Sequence, residues 1–509
     1  MKFLLSKPIE QTLTDGWQKI DPAYRIAFFF IFIVNLLAFG FEMTNLTIHH
    51  DDVWQILIQD EILGTYLGRF VAAWLHYYVQ DSHIMPFLQM TEGIILMAAY
   101  GILICRLWGV RKVLDVVILS AILCVFPYMA HVYQYNSTMA IYPIAHLLSA
   151  AAVLLSVRGT ILNVAAAALL YLIAFAIYQS VIANAATVFG FWALTRLLFA
   201  EETEGFFSRQ MVRSTLAALV AVVAGGLVYV WAVSLMDIPL DAYQGVDEAF
   251  SLTEGLNLSY GLKEIAAGTR SFYFWPENYF PGYLKQPHLI LIAAAGILCI
   301  WLPKQPTRKI AAVIILGLSL VAPRLLQLIH PAGHYHQLTL TAYAIVIAGC
   351  VMLIMRAGNV LTRNLSTVLA AFLIAGYIVQ CNWISTVNLL NTQAHYSTLT
   401  QILSRIRSLP DTNWDGKKAV VFGSYKMWAG YPFKHATGVA TDFMDAKHMQ
   451  DLARLVRDGI TFLPANQATP GAIKFAAEHP IWPHPDSVGV VDGMAVVVLS
   501  KESAKPDTK

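Results

Sequence analysis

Long apolar runs separated by short polar turns dominate the chain from about residue 25 to residue 389. A window of about 20 residues, enough helix to cross ~30 Å of hydrocarbon, places them at 25–46, 84–105, 111–129, 139–157, 160–178, 180–199, 213–236, 286–302, 309–329, 335–355 and 364–389. The apolar sequence from 160 to 199 is interrupted only at "YQS" (178–180), where two helices are expected to meet. The first run starts near Tyr24 and lasts past Leu37, longer than the roughly 7–15 residues of a signal h-region, so it reads as a retained anchor. Residues 47–83 are amphipathic, and "VWQILIQDEILGTYLGRFVAAWLHYYV" predicts helices lying in the interface. The loop 237–285 is aromatic and ends in "TRSFYFWPENYFPGYLKQP", a composition suited to the headgroup level. Beyond residue 390 the membrane pattern is lost. There "KKAVVFGSY" and "GMAVVVLS" read as buried strands and "DAKHMQDLARLVRDG" as an amphipathic helix. The expected fold is an all-α polytopic membrane region over 1–390, with about eleven transmembrane helices and interfacial helices in the first outer loop. A small α/β domain over 391–509 is expected to follow it.

Composition agrees with this pattern. Of 509 residues 57% are hydrophobic and 13% charged, against about 25% charged in soluble chains. A net charge of +2 gives no reason to expect nucleic acid. Cys105, Cys124, Cys299, Cys350 and Cys381 all lie in apolar runs without metal-ligand spacing, and read as small packing residues. Charge also orients the chain. With the N-terminus in the cytosol, sixteen Lys and Arg, among them Arg106, Arg158, Arg196 and Arg308, fall on the inner side of the membrane region. Only Arg69, Lys263, Arg270 and Lys285 fall on the outer side, a clear positive-inside bias. The stretch "TIHHDDVW" (47–54) and the C-terminal domain are therefore expected outside. No internal repeat is visible, which speaks against repeat-built transporters.

Polar residues beside membrane-length runs are costly, so those on the outer side are candidates for chemistry. Asp51 and Asp52 could bind a cation, act as a general base or belong to an ordinary loop. Their company in the same loop, an amphipathic stretch and then "GR" at 68–69, favours chemistry. Arg69 carries a guanidinium, which suits bidentate phosphate binding. A carboxylate base and a phosphate clamp in one outer pocket suggest transfer from a phosphate-linked donor. Arg324 sits inside the apolar "LSLVAPRLLQLIH", a costly position unless it faces a polar cavity or a partner. Beside it, His330, His334 and His336 have no nearby Cys or carboxylate to complete a zinc set, and read as polar cavity lining. Tyr178 and Gln179 fit either a turn between helices or a substrate contact.

The acidic pair in the first outer loop, an amphipathic helix ending in Gly-Arg, "YQS" in mid-chain and "PR" before a late outer loop resemble the bacterial and phage serotype-converting glucosyltransferases. These belong to the multi-spanning GT-C class, and the resemblance covers roughly residues 25–390. In this chain Phe70 follows Gly-Arg, where the family more often has Pro or Trp. The resemblance implies transfer of a sugar, glucose by analogy and with inversion, from a polyprenyl-phosphate carrier to lipid-linked O-antigen on the periplasmic side of the inner membrane.

The chemistry needs a base to take the acceptor proton and a cation to hold the departing phosphate. Asp51 or Asp52 is the expected base. Arg69 and Arg324 are the expected phosphate ligands, with Arg270, Lys263 and Lys285 as possible helpers. Substrate contacts are expected from His49, His50, Tyr66, Tyr178 and Gln179, and from Glu277, His330, His334 and His336. A monophosphate leaving group lets arginine stand in for a metal, so neither metal nor cofactor is expected. A polyprenyl-linked donor also removes the need for a Gly-rich nucleotide loop, and none is seen. The competing readings are a polyprenyl-sugar transferase acting on lipid A, teichoic acid or protein, and a flippase or transporter of a lipid-linked glycan. A transporter should place its charges near mid-membrane, whereas this chain collects them at one face.

Overall fold

A computed structural model describes residues 8–48, 52, 65–199, 208–236, 258–277, 279–328, 335–410, 414, 416–426 and 443–501. The helices are α1 (Ile9–Gln18), α2 (Pro22–Thr44), α3 (Phe70–Trp74), α4 (Pro86–Leu107), α5 (Val113–Cys124), α6 (Pro127–Tyr133), α7 (Ile141–Ser156), α8 (Ile161–Ile177) and α9 (Val181–Phe199). They continue as α10 (Arg209–Ser234), α11 (Leu258–Phe274), α12 (Gly282–Trp301), α13 (Pro306–Val321), α14 (Ala342–Ala357) and α15 (Val360–Arg407). Among the described residues eight helical spans are long and apolar enough to cross a membrane. The bent pair α5–α6 and the shorter apolar helices α7 and α8 complete the set of apolar segments read from hydropathy. Large apolar side chains such as Leu219, Leu227, Ile161 and Leu365 face outward, as a bundle in hydrocarbon requires. The protein is a polytopic, all-α, multi-pass membrane protein with a small C-terminal sheet region.

Prolines and glycines set the breaks that matter for function. The run 111–129, expected as one span, is bent by 56° between α5 and α6. Pro127 is the cause: it has no N–H for the helix ladder, and it holds Phe126 in extended backbone (φ −55°, ψ 131°). The turn after α7 passes through Gly159 in the left-handed region (φ +71°), which favours glycine. Thr160 then caps α8 by accepting from the Asn163 N–H at 3.3 Å. Tyr178 is extended (φ −158°, ψ 105°) and separates α8 from α9 at the expected "YQS" break. Of the loop 47–83, expected on the outer side, the structure describes among others Asp52, a 3-10 turn at Thr65–Leu67, α3 and a π turn at Leu75–Val79. The rest of the stretch expected to lie in the interface is outside the described residues.

Helix α15 runs unbroken for 48 residues, about 72 Å at 1.5 Å per residue and more than twice the thickness of a hydrocarbon core. Its first half packs Leu373, Tyr377, Cys381 and Ile384 into the membrane core. Its last turns put Leu399, Ile402, Leu403 and Ile406 into a second core, shared with the C-terminal sheet.

That sheet has the order β4-β1-β6-β5, with β1 (Lys418–Phe422) parallel to both β4 (Thr461–Pro464) and β6 (Met494–Val498). Strand β5 (Val488–Val491) pairs antiparallel with β6 across an Asp492-Gly493 turn in which both residues have positive φ. A separate two-residue pair, β2 (Tyr425–Lys426) and β3 (Phe443–Met444), precedes α16 (Ala446–Leu455). Alternate residues serve different cores. Ala419, Val421, Ala495 and Val497 face the core of α15 and α16, while Val420, Val496 and Val498 pack with α17 (Pro470–Glu478). Cover on both faces is why "AVVF" and "AVVV" read as continuous apolar runs rather than as alternation.

Candidate active site

Gly68 and Arg69 follow the 3-10 turn Thr65–Leu67, and Gly68 needs the left-handed conformation there (φ +71°). The turn aims Arg69 at the break between α8 and α9. Its Nη1 donates to the Tyr142 hydroxyl at 2.9 Å, and its Nε donates to Gln179 Oε1 at 3.4 Å. The guanidinium lies 5.2 Å from the Tyr178 ring centre and 5.9 Å from that of Tyr142, and these two rings stack at 4.1 Å. Gln179 is itself held, with Nε2 donating to Leu67 O at 2.7 Å and to the Tyr229 hydroxyl at 2.8 Å. Tyr229 in turn donates to Gly68 O at 3.2 Å. "GR" and "YQS", with Arg69 and Gln179 110 positions apart, thus form one hydrogen-bonded cluster. Tyr142 and Tyr229, which complete it, carry no sequence signal beyond being polar tips in apolar helices.

Arg324 anchors a second cluster. Pro323 ends the regular helix α13, and the chain continues as a 3-10 segment, Ala322–Leu328, in which Arg324 departs from helical backbone (φ −107°, ψ 18°). That segment presses on α11 where two glycines leave room. A Cβ on Gly268 would lie 2.2 Å from Arg324 Nη1, and one on Gly261 would lie 2.7 Å from Gln327 O. Arg324 Nε donates to the Tyr343 hydroxyl at 3.1 Å and Nη1 to Gln327 Oε1 at 3.4 Å. The Tyr343 ring stacks on Phe272 at 3.6 Å. Next to it, Glu277 Oε1 accepts from the Tyr128 hydroxyl at 2.5 Å and lies 3.4 Å from Lys285 Nζ. Lys285 is buried, donates to the Phe272 carbonyl and lies 4.1 Å from the Phe272 ring centre.

Aromatic rings join the two clusters. Tyr135, within electrostatic reach of Arg69, stacks on His131, which stacks on Tyr279 at 6.0 Å and meets the ring of His336 edge-on at 6.2 Å. Tyr128 and His131 are both carried by α6, the short helix that Pro127 turns away from α5. Beyond α6, Asn136 donates to Asp52 Oδ2 at 2.8 Å and to Thr47 O at 2.7 Å. Asp52 is fully buried, and Thr47 donates to Glu42 at 2.5 Å.

The structure therefore gathers Arg69, Tyr178 and Gln179 in one cluster and Arg324, Glu277 and Lys285 in the other, with Asp52 on Asn136 and His336 at the junction. Lys263 and Arg270 are exposed along α11, and Tyr66 is exposed in its 3-10 turn. His49, His50, Asp51, His330 and His334 lie outside the described residues. Among the described residues no cluster of three His, Cys, Asp or Glu could hold a metal.

Both arginines share one chemical property. Among the described residues their hydrogen-bond partners are neutral tyrosine and glutamine side chains, and no carboxylate pairs with either. Neither Nη2 has an acceptor among the described residues. Lys285 differs, since Glu277 offsets it.

A multi-pass helical bundle that buries two arginine–aromatic clusters among its helices defines a polytopic membrane protein. The chain belongs to the GtrII glucosyl transferase family, whose profile matches residues 40–354. It is thus a glucosyltransferase of surface-glycan modification, taking a sugar donor and a glycan acceptor. The match includes every described residue of both clusters and ends before α15. No curated protein matches the chain.

Proposed function

We propose that the enzyme moves glucose from a polyprenyl-phosphate carrier to a lipid-linked O-antigen glycan, in a GT-C-like bundle, at the periplasmic face of the inner membrane. The observation that carries this reading is the pair of arginines held by neutral partners. A sugar phosphate leaving a membrane-anchored donor needs a fixed positive charge at the bond that breaks, and Arg69 and Arg324 offer two with open donors. Aromatic walls from Tyr142, Tyr178, Phe272 and Tyr343 suit sugar faces and isoprenoid carbons while keeping water away. Two guanidiniums can balance a phosphate monoester anion, so the transfer proceeds without a metal.

The acidic pair Asp51–Asp52 supplies the base in this proposal, with Asn136 orienting Asp52. The acceptor hydroxyl loses its proton to the carboxylate as its oxygen bonds to the anomeric carbon. The carbon–phosphate-oxygen bond breaks, polyprenyl phosphate departs onto the arginines, and the single displacement inverts the anomeric centre. A second assignment of the base rests on a specific contrast: Asp52 is fully buried, whereas the Glu277 side chain is 29% exposed. In that assignment Glu277 takes the proton, held by Tyr128 and Lys285. The family assignment favours transferase over flippase, and the acceptor is the finer question. Comparing the O-antigen of a strain with and without the gene should show one added glucose. An unchanged O-antigen beside a changed lipid A, teichoic acid or glycoprotein would overturn the acceptor assignment.

A further inference from the structure

A cavity of about 310 Å³ opens at the opposite end of the bundle, lined by Arg106, Arg158, Arg196 and Arg308. Arg106 and Arg196 come from the last turns of α4 and α9, Arg158 from the turn after α7, and Arg308 from the first turn of α13. Arg196 follows Val181 by fifteen residues on α9, so about 22 Å of helix separates this cavity from the cluster at Gln179. It is a different site from the one described above.

Two features define what would fit. First, positive charge is concentrated there: Arg106, Arg158 and Arg196 are all exposed around the cavity. Among the described residues no carboxylate pairs with Arg106, Arg158 or Arg196, and Arg356 adds a like charge beside Arg196. The first turn of α10 also faces the cavity through Ser208 and Gln210, and first-turn amides carry partial positive charge. Second, apart from Ser214 the remaining wall is apolar, with Leu154, Trp192, Leu197 and Met211 among its residues. A cationic rim over an apolar wall, at the ends of membrane-spanning helices, matches an anion carrying a hydrocarbon chain rather than a small free anion.

We propose that this cavity binds the phosphodiester headgroup of an anionic phospholipid, with its acyl chain along the Leu154–Trp192 wall. The site is independent of the sugar-transfer reading. To test it, delipidated full-length protein is offered phosphatidylglycerol or phosphatidylcholine in mixed micelles, and retained lipid is counted by native mass spectrometry. Wild type should retain phosphatidylglycerol in clear excess. Arg158→Gln with Arg196→Gln, both at exposed positions, should lower that retention at least about tenfold, since each change removes a charge-assisted contact to the phosphodiester. Phosphatidylcholine retention by the same variant should stay as in wild type, which reports an intact bundle. Equal retention of the two lipids by wild type overturns the proposal. Undiminished phosphatidylglycerol binding in the double variant overturns it as well. Inorganic phosphate binding alone, with no gain from the acyl chain, overturns the lipid assignment.

Discussion

Replacing Arg69 with alanine removes the guanidinium while leaving the frame that holds it. Gln179 keeps its bonds to Leu67 O (2.7 Å) and Tyr229 (2.8 Å), and the Tyr142–Tyr178 stack at 4.1 Å does not depend on Arg69. The loss should therefore appear in donor binding and not in folding. A hydrogen bond to a charged group contributes about 1.5–3 kcal/mol, so losing one phosphate contact should raise the donor Kd roughly 10- to 150-fold. Arg69→Lys keeps the charge but has no planar fork to reach Tyr142 and Gln179 while facing a phosphate, so it should fall between wild type and alanine. The assay is equilibrium binding of polyprenyl-phosphate glucose to purified protein in nanodiscs, with single-turnover transfer measured separately. Near-wild-type donor affinity in Arg69→Ala would refute the reasoning, because the only described polar partners of this arginine would then be serving structure alone.

Other expectations follow from the same geometry. Asp51→Asn or Asp52→Asn should lower single-turnover transfer by roughly 10²–10⁴-fold with donor binding retained; if both transfer normally and Glu277→Gln does not, the base is Glu277. Reporter fusions at Arg209 and Lys304 should report cytosol, and fusions at Asn136 and Pro410 the exterior; an external Lys304 would invert the proposed topology. In the C-terminal unit, Asp445 caps α16 by accepting from the His448 N–H at 3.0 Å and from His448 Nδ1 at 2.7 Å. Asp445→Ala should therefore loosen that helix by about 1 kcal/mol, read as faster amide exchange over 446–455 in the intact protein. Burial opposes ionisation of Asp445, but the His448 bonds outweigh it and hold the carboxyl below its ordinary value. Its stabilising contribution is thus present above the unfolded carboxyl pKa and should be lost as pH falls through the lower folded value.

The bundle was legible in the sequence because hydrocarbon imposes a length on every apolar crossing. Each run read from hydropathy corresponds to an apolar helix or, at 111–129, to a bent pair. Hydropathy does not register where a helix ends or bends. The apolar run stops near residue 389, yet α15 continues to Arg407, since leaving lipid removes the need for apolar side chains without breaking backbone hydrogen bonds. The 56° bend at Pro127 was visible as a proline, but its consequence was not: it turns Tyr128 and His131 toward the site. The strands of "KKAVVFGSY" and "GMAVVVLS" were readable because burial on both faces makes them uniformly apolar, whereas β4 and β5 are too short for such a signal.

Of the candidate site, the sequence alone determined the types of side chain that had to be explained: the acidic pair, Arg69, Arg324 and the polar break at "YQS" were all costly beside apolar sequence. Their grouping was decided by tertiary structure. Arg69 meets Gln179 across 110 positions, and Asp52 meets Asn136 across 84. Such partners are chosen by which helix ends lie side by side. The tertiary structure also set what each cation can do. Lys285 looked like another phosphate ligand, but Glu277 sits 3.4 Å from its amine and offsets its charge. Arg69 and Arg324 keep theirs because tyrosine and glutamine orient a guanidinium without neutralising it.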